Sequence, residues 1–123
     1  MKDTVNVLGY LPNEELPCLY NLARLMVFPS LFERFGIPLI EAMASGCPVA
    51  CSNVTSIPEV VGDAAITFEP DSVEDMAEKV WAVWNDEELR RDMKIRGSIR
   101  AQLFSWDNTA KQTMKTYEKV AGR

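Results

Sequence analysis

PSLFERFGIPLIEAMASGCPVACS, residues 29–52, runs from the end of one apolar segment through a glycine turn and a helix start into a second apolar segment. Between Phe35 and Pro58 there is a single charged residue, Glu41, set among Ile37, Leu39, Ile40, Ala42 and Met43. Glutamate is rarely buried without a partner, so an isolated one in such surroundings asks for a reason. The nearest acid before it is Glu33, at the end of a strand-like segment. Phe35-Gly36-Ile37-Pro38, between the two, reads as a helix start with proline at the first helical position. Free N–H groups and the positive end of a helix attract phosphate. Gly36 lets a backbone come close to a ligand. Carboxylates at Glu33 and Glu41 can accept hydrogen bonds from the vicinal hydroxyls of a ribose or a hexose. The arrangement suits a phosphorylated sugar nucleotide. A structural reading stands beside it: an acid in the first turns of a helix is favourable against the macrodipole, and Glu33 can be a solvated loop residue. One Gly-Pro helix start does not choose between them.

The surrounding chain has 123 residues, enough for one domain with its own core. Its 47% hydrophobic and 25% charged content are those of a globular domain. A net charge of −5 argues against a nucleic-acid or anionic-membrane surface. No apolar run approaches the roughly 20 residues of a membrane span, and the first residues, MKDTVNVLGYLPNEEL, lack the apolar core of a signal peptide. Three cysteines, Cys18, Cys47 and Cys51, fit reduced thiols in the cytoplasm. All three are expected to be buried or half-buried apolar residues. With no histidine in the chain, Ser-His-Asp and Cys-His mechanisms and a Cys/His zinc site are excluded within it.

Along the chain, strands are expected at Val5–Tyr10, Leu25–Ser30, Pro48–Ser52 and Ala64–Phe68. Helices are expected from Glu14 or, because of Pro17, from Leu16 to about Ala23, at Ile37–Ser45 closed by Gly46, and at Ile57–Val61 closed by Gly62. Three more follow: one capped by Ser72 with Asp75 in its first turn, one from Asp86 to about Phe104 broken or bent near Gly97, and one from Ser105 to about Val120. The tryptophans and the stripe of Ala110, Met114 and Tyr117 are expected in the core. Strands alternating with helices predict an α/β fold: a three-layer, Rossmann-like, mostly parallel four-stranded sheet with helices on both faces, in one domain spanning 1–123. In such sheets ligands bind beyond the carboxyl ends of the strands, which is where residues 29–52 fall.

FPSLFERFGIPLIEAMASGCPVACSNVTSIPEVVGDAAITFEP resembles the C-terminal, donor-binding domain of retaining GT-B glycosyltransferases of group 1, the glycogen-synthase and lipopolysaccharide-mannosyltransferase kind. The likeness rests on Glu33 and Glu41 as Glu-x7-Glu, on Phe35-Gly36, on Pro38 with Glu41-Ala42, on Gly46-x-Pro48-Val49, and on Pro58-Glu59-Val60 with Gly62. The resemblance implies that Glu33 is the catalytic-site acid near the donor sugar. It implies that Glu41 accepts the ribose hydroxyls and that Phe35, Gly36 and Ile37 offer backbone to sugar and diphosphate. Tyr10 and Leu11 would lie near the nucleobase. Arg34 departs from the small residue usual between Glu33 and Phe35; it can pair with Glu33 or border the sugar.

The activity implied is sugar transfer from a nucleotide-diphosphate sugar with retention, without a metal or other cofactor. A complete GT-B enzyme has an acceptor domain and two further donor-domain strands that precede VNVLGY. The four strands expected in this chain correspond to the third to sixth. The chain alone is therefore expected to be inactive, with the acceptor-domain half as a possible partner. The rivals are a non-catalytic binding or assembly module and, less well matched by Glu-x7-Glu, a nucleotide-sugar epimerase. An open sheet edge at Val5–Tyr10 and Leu25–Ser30 implies a homo-oligomer, with closure of the first strand onto Leu25–Ser30 as the monomeric alternative.

Overall fold

The computed structural model describes residues 4–122. Its elements run α1 (Leu16–Leu22), β1 (Met26–Phe28), α2 (Ile37–Ala44), β2 (Val49–Ser52), α3 (Ile57–Val61), β3 (Ile66–Phe68), α4 (Val73–Asn85), α5 (Glu87–Ala101) and α6 (Trp106–Val120). The strands form one parallel sheet in the order β1-β2-β3. Val27 lies opposite Ala50, and Cys51 opposite Thr67. All four residues of β2 are buried. Successive side chains point to opposite faces, so both faces of this central strand are covered. Val49 and Cys51 join Leu39, Ala42 and Met43 of α2 and Ile57 and Val61 of α3 in one cluster. Ala50 points the other way and is also buried, with α4 packed on β2 and β3.

Local chemistry sets the element ends. Pro17 stands in the first turn of α1, where its missing N–H costs nothing, and the helix starts at Leu16. Gly46, with φ +75°, follows Ser45 and closes α2. Ser72 caps α4 by accepting from the Asp75 N–H at 3.1 Å. The Asp75 carboxylate in turn accepts from the Glu69 N–H at 2.7 Å, which fixes the turn after β3.

The parallel, helix-covered α/β sheet stands as expected, but with three strands instead of four. Residues 5–12 form no strand, and Val5, Val7, Leu8 and Tyr10 are exposed. Apolar alternation makes a strand only where a neighbouring strand takes its N–H and C=O groups, and among the described residues no strand pairs with this segment. The first segment therefore does not close onto β1 either. β1 pairs with β2 alone among the described strands, and it is half-buried with Val27 exposed, not covered on both faces.

Three further expectations are corrected. The fifth helix is not broken at Gly97: α5 runs on to Ala101, and Gly97 is buried inside it. A Cβ on Gly97 would sit 3.3 Å from Met43 Cβ and Cγ, so the glycine marks where α5 lies closest to α2. The tryptophans are not core residues. Trp81 is 69% exposed, Trp84 45% and Trp106 82%. On α6 no residue is buried, and Met114 and Tyr117 face outward. Helical spacing puts apolar residues on one face without saying whether anything covers that face. Finally, Cys47 and Cys51 are buried but Cys18 is exposed.

Burial pushes the Cys51 thiol up to about 12. The thiol is held neutral in the fold, so its contribution to stability is complete below its ordinary value of 9.0 and is lost as pH rises from there toward about 12. A thiol reagent at about pH 8 is expected to modify Cys18 alone in the folded chain and all three cysteines after denaturation, read by mass spectrometry.

Candidate functional site

The loops at the carboxyl ends of β1 and β2 meet in one place, at the start of α2. Gly36 precedes that helix with φ +85° and is buried. A Cβ there would meet Leu39 Cδ1 at 2.9 Å, so the turn admits only glycine without a shift. No side chain caps α2 and no acid stands in its first turn. Pro38 has no N–H and the Leu39 N–H bonds to the Gly36 carbonyl at 3.0 Å, so of the first three residues of the helix only Ile37 leaves its amide for water or a ligand, at the positive end of the helix.

Glu33 is held by its backbone from the loop after β2. Its N–H donates to Thr55 Oγ1 at 3.1 Å. Thr55 Oγ1 donates back to the Glu33 carbonyl at 2.7 Å, and Ser56 Oγ adds a second donor at 3.2 Å. The carboxylate accepts from Ser30 Oγ at 3.3 Å. Among the described residues Thr55 is the only non-glycine with positive φ, at 51°. A β-branched residue is strained there, and such strain persists only where surrounding contacts enforce it.

Glu41 sits in the second turn of α2 with its side chain exposed. Tyr20 of α1 lies beside it. Burial, then the Glu41 carboxylate and Cys47, push the Tyr20 phenol up. Tyr20 thus stays a protonated donor that can fix the carboxylate. Glu41 is the one charged residue lining an apolar groove of about 490 Å³ whose walls include Phe35, Ile37, Ile40, Phe104 and Trp106. Phe35 meets Phe104 edge to face, with centroids 5.8 Å apart. Arg100 lies 5.6 Å over Phe104 and donates to the carbonyls of Val60, at 2.9 Å, and Glu59. A continuous run of contacts therefore leads from the carbonyl end of α3 through Arg100 and Phe104 to Phe35.

Residues 1–100 match the family described as glycosyl transferases group 1. The chain belongs to that family. It is 45% identical over 114 residues to O-antigen chain mannosyltransferase B of Escherichia coli, covering 93% of this chain and 30% of that protein. It is 35% identical to MMP alpha-(1->4)-mannosyltransferase of Mycolicibacterium hassiacum, over 100% of this chain and 31% of the other. Sucrose-phosphate synthase from Thermosynechococcus elongatus superposes with a TM-score of 0.88 at 29% identity, over 98% of this chain and 31% of that one. The GT-B expectation for the fold holds. This group 1 chain spans about a third of the length of these two mannosyltransferases.

Of the residues singled out from sequence, Glu33, Phe35, Gly36, Ile37 and Glu41 gather at this one end, and three of them line the groove. Tyr10 and Leu11 stand apart in the irregular segment before α1, with Tyr10 90% exposed. Among the described residues Arg34 makes no ion pair with Glu33. Sequence reading passed over Thr55, Tyr20, Phe104 and Trp106. Threonine in a polar loop carries no mark of a left-handed conformation, and the other three come from distant elements. Thr55→Val keeps the shape and removes both hydroxyl bonds to Glu33. It is expected to destabilise the chain by about 1 kcal/mol, read by urea unfolding, with larger amide shifts at Glu33 than elsewhere.

Proposed function

We propose that this chain is the donor-binding part of a retaining transferase that takes a sugar from a nucleotide-diphosphate sugar. The observation that carries this is Glu41 in the wall of the groove next to the glycine start of α2, with Glu33 pinned in the loop just before that start, at the carboxyl ends of parallel strands. The α2 start would receive the diphosphate, Glu41 the ribose hydroxyls, and Glu33 the sugar, with donor positioning and leaving-group stabilisation as the chemistry. No metal or other cofactor is assigned. Mannose is the first sugar to test, because the relatives above are named mannosyltransferases. Free thiols at all three cysteines fit a reducing compartment, and we assign the cytoplasm. Among the described residues no helix is long and apolar enough to cross a membrane.

The chain alone is not expected to transfer sugar, since the acceptor surface and the basic residues that would neutralise the diphosphate are not found in it. Incubation of the purified chain with a panel of nucleotide-sugars and simple acceptors should give no transfer, while donor binding near millimolar is retained. Turnover would refute the first part, and absence of any binding the second.

A second reading, an assembly module, is favoured by the half-buried strand β1 and the outward stripe of α6. Both predict self-association through an open edge. Sedimentation at micromolar concentration should show a dimer or larger species. A clean species at the 13.8 kDa of one chain would remove this reading.

A further inference from the structure

The end of the molecule opposite Glu33 and Glu41 carries a second depression, of about 250 Å³, lined by Arg24, Glu87, Arg90, Arg91 and Lys94. Arg24 stands just before β1, and the other four come from the first turns of α5. In a parallel sheet the amino ends of the strands share one pole, so this depression is separate from the groove at the carboxyl ends. Four cations against one carboxylate leave it an excess of three positive charges, in a chain whose net charge is −5.

Part of that charge has a structural use. Arg90 Nη1 donates to the carbonyls of Val83, at 2.8 Å, and Trp84, at 2.5 Å. Arg24 Nη2 donates to the Trp84 carbonyl at 2.8 Å, with its guanidinium 4.6 Å over the Trp84 ring. The two arginines thus close the negative end of α4. Each uses one terminal nitrogen for this, and a guanidinium has five N–H donors, so both retain donors while being locked in place. Arg91 pairs with Glu87 at 3.2 Å on the exposed face of α5. Among the described residues Lys94 makes no ion pair. Helix capping accounts for Arg24 and Arg90. It does not account for Lys94, nor for the gathering of all four around one concavity.

We propose that this depression is an anion site for a phosphate ester or diphosphate group. Charge-assisted hydrogen bonds from preset guanidiniums are the usual means of holding such a group. The volume suits one or two phosphates and is too small for most of a nucleotide-sugar. The phosphate can belong to a free anion or to a lipid headgroup. For the second source the exposed Trp81 and Trp84 of α4 supply the aromatic residues that membrane interfaces favour.

The test uses the whole chain and two probes. Pyrophosphate is titrated at low salt and followed by amide and arginine Nε–H shifts. In parallel the chain is spun with vesicles of phosphatidylglycerol or of phosphatidylcholine alone. The variant Arg91→Gln with Lys94→Gln removes two charges and leaves both caps of α4. If its melting temperature falls, Lys94→Gln alone replaces it. A free-phosphate site predicts pyrophosphate shifts confined to Arg24 and residues 87–94, weakened about tenfold in the variant and by added salt. A headgroup site predicts sedimentation with phosphatidylglycerol only, lost in the variant. Shifts confined to residues 33–41, binding in either arm that the variant leaves unchanged, or no binding in both arms would overturn the proposal.

Discussion

Glutamine in place of Glu41 is expected to weaken donor binding by about 1.5–3 kcal/mol in an enzyme that carries this domain whole, roughly ten- to hundredfold in Kd. The carboxylate is exposed in the wall of an apolar groove beside Tyr20, with no cation of the described residues paired to it. An amide keeps the shape but loses the charge that strengthens bonds from ribose hydroxyls. Because the side chain is exposed, unfolding free energy should change by no more than about 0.5 kcal/mol. Calorimetric titration with donor, beside urea unfolding of the variant, separates the two effects. Loss of the fold with donor affinity intact would make Glu41 a structural residue.

Valine in place of Gly97 is expected to destabilise the chain by about 2–3 kcal/mol. The Cβ position faces Met43 Cβ and Cγ at 3.3 Å and Met43 Cα at 3.6 Å. Cα and Cβ are the backbone carbon and the first side-chain carbon, so they cannot swing aside as a side-chain tip would. Gly97→Ala adds one carbon and gains about 1 kcal/mol of helix propensity, which offsets the crowding, so it should be nearly neutral. Valine adds two more carbons and stiffens χ1. Urea unfolding of the two variants gives the comparison. Since α5 also carries Arg100 and leads into Phe104, moving it off α2 should loosen the Phe35–Phe104 wall of the groove. A valine variant as stable as the parent would mean that α5 and α2 are not locked at this point.

These contacts also mark what a single sequence can and cannot convey. Helix ends were legible wherever the ending is local chemistry: Pro17, Ser72, Gly46 and Gly62 each stand where the structure starts or stops a helix. The glycine turn between Glu33 and Glu41 was legible for the same reason. Whatever depends on a neighbour was not. Val5–Tyr10 has the composition of a strand, but strands form in pairs and no strand of the described residues lies beside it. Gly97 looked like a helix break because its cost in an isolated helix is known, whereas its benefit, close approach to Met43, lies on another element. Periodicity placed Met114 and Tyr117 on one face of α6 and could not report that nothing among the described residues buries it. At the candidate site the same division holds. Glu33, Gly36 and Glu41 are close in sequence and were read from it. Thr55 and Phe104 reach them through the fold.

The most direct measurement is a titration of the ¹⁵N-labelled chain with a panel of nucleotide-diphosphate sugars, mannosyl donors included, repeated on Glu41→Gln. Shifts should centre on Glu33, Phe35, Gly36, Ile37 and Glu41, saturate near millimolar for at least one donor, and weaken in the variant. Shifts that avoid those residues, or that are the same in Glu41→Gln, would contradict a donor site built on Glu33, Gly36 and Glu41.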